Sequence, residues 1–318
     1  MKKEIPSSAQ KRHNGETATA LIIAAALKKI GAKGVWAGAD FPAGLFLSLK
    51  KIIPIEIAKG ALFPERAIKS AYEQNEIKKA NKGCAAGILL CRDTIRRAKI
   101  IKGKLFLNGK PLTSEFLRTR VQELFLQMGL EPGSDLIIAG GKQACDPHCI
   151  GHGPLKAREL IVVDLFSPLQ SSHYWGDMTR TFIKGQPTDA QDRLVNAVAF
   201  AQREAILAIE PGVEGRTVHA GVAEFFELSG YKTKKTKAGY EGFFHGTGHA
   251  LGLECHDMGD HGNGLNRRGE KLHEGEVVTV EPGLYYPAIG GCRIEDNGVV
   301  TKAGFKLLSH APYDWVLP

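Results

Sequence analysis

Runs of β-forming residues in the second half of this chain are interrupted, one after another, by a single carboxylate: Asp164 in "LIVVDLF", Asp177 in "GDMTRTF", Glu281 in "VVTVEP" and Glu295 in "GCRIEDNGVV". A strand places alternate residues on one face, so Asp164 shares a face with Val162, Asp177 with Thr179 and Thr181, and Glu295 with Arg293. A carboxylate on an apolar face is seldom buried unpaired, because its lost hydration outweighs what packing returns. The fold must therefore bring a cation to these acids, from a metal or from arginine, or leave them at turns and on the surface. For the two aspartates the plain alternative is one capping a turn and the other exposed. For the glutamates it is a structural Glu-Arg pair.

The remaining pattern is α+β. Residues 16–30 read as a helix stopped at Gly31. "KGVWAG" and "IIPIEIA" read as short strands with the helix "FPAGLFLSLKK" between them, a small α/β unit. Composition changes near residue 62, which divides the chain into 1–62 and 63–318. The second part opens with a helical pattern in which Pro64 takes the first helical position. In "TSEFLRTRVQELFLQMGL", Leu117, Val121, Leu124, Phe125 and Met128 form one apolar stripe expected in the core. Strands then lead to the helices "AQDRLVNAVAFAQREAILAI" and "TVHAGVAEFFELSG", and glycine-rich, strand-like sequence follows. Helices come mostly first and strands mostly late, with short connections that imply antiparallel pairing; that order is α+β, not a doubly wound parallel sheet. "EVVTVEPGLYY" and "GCRIEDNGVVT" are expected to pair as a hairpin with Glu281 beside Glu295.

With 43% hydrophobic and 24% charged residues, the composition is that of a globular protein, neither disordered nor a membrane bundle. The net charge of +8 would suit a phosphate-rich partner. Its basic residues are scattered, however, and only "YKTKKTK" (231–237) concentrates them, so a solvated surface loop is expected there and no nucleic-acid partner. Six cysteines without CxxC spacing argue against a disulfide framework and for a reducing cytoplasm. "MKK" ahead of "TATALIIAAALKKIG" loosely resembles a signal peptide, yet the apolar run of about 11 residues is too short to span a bilayer and lacks a small-residue cleavage site. It reads as an amphipathic or buried helix, and no membrane partner is expected.

Five histidines, His245, His249, His256, His261 and His273, fall within thirty residues of a chain that has 11. The His245–His249 spacing is that of a zinc-protease helix, but Gly246 and Gly248 oppose a helix and Glu is absent at position 246. Glycines around histidines point instead to backbone that must approach something closely. Four carboxylates and one imidazole balance two divalent cations and leave a neutral site able to hold a bridging water or hydroxide. Oxygen-rich ligation with one nitrogen suits Mn²⁺, the expected ion, or Co²⁺, Zn²⁺ or Fe²⁺. Such a pair activates water and clamps an attacked carbonyl, the chemistry of metal-assisted amide hydrolysis. A rival zinc set, Cys145, His148, Cys149 and His152 in "CDPHCIGHG", rests on weaker spacing within one loop.

"VVD…GDMTRTF", "HGTGHALGLECHD", "TVEPGLY" and "CRIEDNGVVT", in that order, resemble the metallopeptidase superfamily of methionine aminopeptidase, aminopeptidase P and prolidase, whose fold is the pita-bread fold. The resemblance covers about residue 62 onward, and the Arg of "RIED" places it nearer the Xaa-Pro branch. It implies that residues 1–62 are a shortened form of that branch's N-terminal α/β domain. It also implies a metal-ligand set of Asp164, Asp177, His249, Glu281 and Glu295, with Asp177 and Glu295 bridging two metals. His256 would stabilise the tetrahedral intermediate or relay a proton, Glu281 would help accept the nucleophile's proton, and His148, in "GGKQACDPH", would contact substrate. His245 and Arg293 match further substrate positions of that branch. The implied activity is cleavage of N-terminal, Xaa-Pro peptide bonds in short peptides, by a cytoplasmic homodimer. The alternatives are a non-catalytic peptide- or protein-binding member of the fold and a methionine aminopeptidase. In one respect the chain departs from the family pattern: Asp164 and Asp177 stand thirteen residues apart, two more than usual, with Phe166 where a small residue is common. The odd parity survives, so both aspartates can still face one way.

Overall fold

The computed structural model describes residues 15–237, 239–257 and 264–318; His261 and the polar N-terminal stretch 1–14 lie outside them. The chain divides into two compact units, Met1–Pro64 and Glu65–Pro318.

In the first unit, helix α1 (Gly15–Lys29), strand β1 (Val35–Ala37), helix α2 (Ala43–Lys50) and strand β2 (Ile55–Ile57) follow in order, with β1 and β2 parallel. Ala20 and Ala24 of α1 are buried with Ala37, Leu49 and Ile55 in a small core, so the signal-like segment is helix packed on strand. No helix among the described residues is long and apolar enough to cross a membrane.

The second unit begins differently from the sequence expectation. Pro64–Ala67 is a separate 3₁₀ turn, and the long helix α3 (Ala71–Arg97) starts at a capping box, with Ser70 N–H donating to Glu73 Oε2 at 2.7 Å and Glu73 N–H to Ser70 Oγ. The box satisfies orphan amides at the first turn, which Pro64, seven positions upstream, cannot do. Ile77, Ala80, Cys84, Ile88, Cys91 and Ile95 recur every three or four residues and are buried. Strands β3 (Lys99–Ile101), β4 (Lys104–Leu107) and β5 (Lys110–Pro111) form a small meander, and helix α4 (Ser114–Gln127) follows. In α4 the core face is Leu117, Val121 and Phe125; Met128, one residue past the helix, is exposed, so the expected stripe is shorter by a turn.

Strands β6 (Ile137–Gly140), β7 (Leu160–Pro168) and β8 (Trp175–Lys184) are antiparallel neighbours. Ile161, Val163 and Leu165 join the core with α3 and α4, which leaves Val162 and Asp164 on the opposite face. α5 (Asp189–Leu207) and α6 (Gly215–Leu228) build a second core with the later strands. β9 (Lys234–Thr236) and β10 (Gly239–Glu241) pair as an antiparallel ladder, so the basic run is in part an exposed strand, with Lys234 on Glu241 at 3.2 Å.

The strands β11 (Gly248–His249), β12 (Gly264–Leu265), β13 (Val277–Val280), β14 (Gly283–Tyr286), β15 (Gly290–Arg293), β16 (Asp296–Thr301) and β17 (Gly304–Leu307) follow in the second unit, and β18 (Val316–Leu317) adds to the edge of β8 in parallel. The expected hairpin is split. β13 pairs with β16 up to Val280↔Asp296, and β14 pairs with β15 from Gly283↔Arg293. Pro282 has no N–H to continue the ladder. Glu281 and Glu295 therefore fall in the break between two ladders, where Glu281 N–H donates to Thr247 O at 2.7 Å and Glu295 N–H to Thr179 O at 3.0 Å.

Candidate active site

The β7–β8 register settles how the long turn is accommodated. Asp164 stands opposite Thr179 and Phe166 opposite Asp177, so both aspartates and Thr179 share the face away from α3. The two additional residues are taken up in the connection, where Leu169 N–H donates to Tyr174 O at 3.0 Å and His173 adopts φ 60°. Phe166 lines the site cavity and stacks on Trp175 at 6.5 Å.

Close approach of α3 fixes Asp177. A Cβ on Gly176 would lie 2.6 Å from the backbone of Ala80 and Asn81, so only glycine lets the helix seat here. Asn81 Oδ1 then accepts from Asp177 N–H at 3.0 Å and from Asn297 Nδ2 at 2.9 Å, while Asn297 Nδ2 also donates to Asp177 O at 2.7 Å. From the other side, Thr179 Oγ1 donates to Glu295 Oε2 at 2.7 Å, and Glu295 N–H to Thr179 O at 3.0 Å. The buried Arg180 guanidinium joins Glu295 O at 2.6 Å to Asp296 Oδ1 at 2.9 Å. The glycine-flanked histidine behaves as its sequence suggests: a Cβ on Gly248 would meet Thr279 O at 1.9 Å, and this approach lets His249 N–H donate to Thr279 Oγ1 at 3.0 Å.

Asp164, Asp177, His249, Glu281 and Glu295 all line one cavity of about 940 Å³. His249 Nε2 lies 3.3 Å from Glu281 Oε1 and 3.6 Å from Asp177 Oδ2, while its Nδ1 is 3.1 Å from Ala250 O, which orients the ring. Donor atoms of Asp177, His249 and Glu295 lie within 4.8 Å of one another. Burial, followed by the charges of Asp164 and Glu281, pushes the Asp177 carboxyl well above its ordinary range; burial and Asp177 do the same to Glu295. Glu281 is raised to about 7, chiefly by burial. Among the described residues the guanidinium bonded to a carboxylate oxygen of these five side chains is that of Arg293, whose Nη2 donates to Asp164 Oδ2 at 2.7 Å; it pairs with Asp164, not with a glutamate. Asp164 Oδ1 remains buried without a hydrogen-bond partner. Oxygen and imidazole donors at ligand spacing, mutual repulsion and an orphaned carboxylate oxygen fit divalent cations of the kind bound by oxygen and nitrogen.

The other sequence candidates surround this cluster. His256 lines the cavity, its ring 4.0 Å from that of His249. Ion pairs hold the next residue, Asp257, to the part-exposed Arg66 and, buried and at 3.0 Å, to Lys69 Nζ. His245 Nε2 lies 2.8 Å from Tyr285 OH, which accepts from Arg293 Nη1 at 2.8 Å. Burial, with Arg293 nearby, lowers His245 to about 3, so it is a neutral hydrogen-bonding group. His148 lines the cavity as well. His273 instead faces Glu276 at 3.2 Å and does not line it. Among the described residues neither metal-competent group includes Cys145, His148, Cys149 or His152, so the rival zinc set is not assembled. Sequence reading missed Cys255, Asn266, Arg267, Arg268 and His219, all lining the cavity. It also missed the Asn81–Asn297 pair behind Asp177. Cys255 carried a usable signal, its place directly before His256; the arginines, in "LNRRGE", carried none.

A family model for metallopeptidase family M24 matches residues 75–302. The chain is 30% identical over 282 residues to a Xaa-Pro dipeptidase of Pyrococcus horikoshii, covering 88% of this chain and 74% of the relative. It is 36% identical over 195 residues to a Xaa-Pro dipeptidase of Lactobacillus delbrueckii subsp. lactis, covering 59% of this chain and 48% of that protein. The match thus spans from about half to three quarters of these relatives. Among solved structures, the prolidase from Pyrococcus horikoshii superposes with a TM-score of 0.76 at 28% identity, over 92% of this chain and 78% of the other. The α+β architecture is the pita-bread one of these enzymes. With most of its length under the family model and the same fold around the carboxylate cluster, the chain belongs to metallopeptidase family M24.

Proposed function

We propose that this protein hydrolyses the Xaa-Pro bond of short peptides at a two-cation centre held by Asp164, Asp177, His249, Glu281 and Glu295. The observation that carries this reading is the convergence of four carboxylates and His249 on one cavity, with Asp164 Oδ1 buried and unpartnered. Asp177 and Glu295, fixed from behind by Asn81 and Thr179, would hold both cations. Divalent cations bound there would acidify a water and polarise the scissile carbonyl. Glu281 Oε1, at the cavity face of the broken ladder, accepts the proton of the attacking water. His256, on a loop pinned through Asp257, offers a ring N–H to the carbonyl oxygen as it gains charge. His148 and His245 contact the peptide. Arg293 orients Asp164 and, through Tyr285, His245. Arg267 and Arg268, lining the same cavity, suit the carboxylate of a short substrate, which favours dipeptides. The free thiols of all six cysteines accord with a cytoplasmic setting.

The test is metal analysis of the purified protein followed by a panel of Ala-Pro, Ala-Pro-Ala and Met-Ala after supplementation with Mn²⁺. Cleavage of Ala-Pro in preference to Met-Ala is expected. Faster cleavage of Met-Ala would make it a methionine aminopeptidase, and bound metal with no turnover of any peptide would make it a binding protein.

A further inference from the structure

Cys255 belongs to none of the assigned positions, yet it lies inside the cavity. Its Sγ–H donates to Asp177 Oδ2 at 3.3 Å. The Sγ, a ring nitrogen of His249 and a ring nitrogen of His256 lie within 4.8 Å of one another, and the two rings are tilted by only 37°. Cys84, Cys91 and Cys292 serve the cores as small apolar side chains. Cys255 faces donors instead. Asp177, whose Oδ2 accepts from Cys255, also shares a second metal-competent group with His249 and Glu295, so His249 and Asp177 join the thiol to the carboxylate donors.

We propose that Cys255 is a sulfur donor to the metal centre. It adds one sulfur beside the His249 nitrogen of the carboxylate set, with the His256 ring alongside and left to its substrate. Sulfur ligation biases this chain toward Zn²⁺ or Co²⁺ over the Mn²⁺ that an all-oxygen and nitrogen set would favour. On binding, the thiol proton passes to solvent and the sulfur lone pair to the cation; no electron is transferred. The inference rests on the reading above that the cluster binds cations, and its test separates the two.

The full chain, stripped with EDTA, is titrated with Co²⁺ without oxygen while its absorption is recorded. Visible d–d bands report bound cobalt, and an intense near-ultraviolet sulfur-to-cobalt band reports a thiolate ligand. Both are expected in the parental protein. Cys255→Ser should keep the d–d bands and lose the near-ultraviolet one, with Zn²⁺ affinity falling relative to Mn²⁺; Cys145→Ser should keep both. Cobalt binding without the near-ultraviolet band in the parental chain overturns the inference and leaves the cation site standing, and so does a band that survives in Cys255→Ser. If no cobalt binds at all, the cation reading falls together with it. Because the parental spectrum alone can refute the idea, the outcome does not depend on how well the variant folds.

Discussion

Thr179 and Glu295 separate two kinds of contribution at the site. Glu295→Gln removes the charge proposed to bridge the cations while keeping the volume and an acceptor for Thr179 Oγ1. Hydrolysis of Ala-Pro should vanish with the circular-dichroism spectrum unchanged; parental rates in this variant would refute the ligand assignment. Thr179→Val keeps the shape and takes away only the hydroxyl that orients Glu295, so metal affinity or turnover should fall by about 10–100-fold. Titrating the stripped variant with Mn²⁺ measures it. The five proposed ligands were legible because each stands in a strand-like run or among glycines where a charged or polar group needs a reason. Asn81 was not, since a lone Asn in a helical pattern looks like any surface residue; it is a site residue only because α3 closes on β8, 96 positions away along the chain.

The seating of helix on strand is itself testable. Gly176→Ala would place a methyl 2.6 Å from the α3 backbone. Overpacking of this kind costs about 1–3 kcal/mol, to be read from the shift of a urea midpoint. Because Asp177 follows directly, the variant should lose metal affinity along with stability, whereas a variant on an exposed part of α3 should do neither. At this scale the helices were readable from periodicity, but two boundaries were not. Pro64 looked like a helix start, whereas the Ser70–Glu73 box, a reciprocal pair of hydrogen bonds, defines it. The final hairpin looked continuous, since periodicity cannot show that Pro282 divides one ladder into two. Glu281 and Glu295 sit in that break, their backbone N–H groups donating to Thr247 O and Thr179 O instead of to each other's strand.

For the molecule as a whole, the acid cluster ties stability to pH and to cations. Glu281 is raised to about 7 from an ordinary 4.5, and Asp177 and Glu295 move the same way. Between those values the folded chain binds protons that the unfolded chain has released, so unfolding free energy falls as pH rises from about 4.5 to about 7. A shift of Glu281's size corresponds to on the order of 3 kcal/mol. Buried histidines such as His245, lowered from 6.5 to about 3, act in the opposite sense below their ordinary value, so the carboxylates are read above it: the EDTA-treated protein should melt at a lower temperature at pH 8 than at pH 6.5, and Mn²⁺ should remove most of that difference; a flat or rising profile would contradict it. The same arrangement bears on the order of events during synthesis. The cluster takes Asp164 and Asp177 from one sheet and Glu281 and Glu295 from the break between two later ladders, whereas His249, Cys255 and His256 lie close together in the chain. A nascent chain exposes the histidine–thiol trio before Glu281 and Glu295 have been made. The first metal-competent set to leave the ribosome is thus the one with sulfur in it, and the carboxylates proposed to bridge the cations come together only after the two sheets have closed.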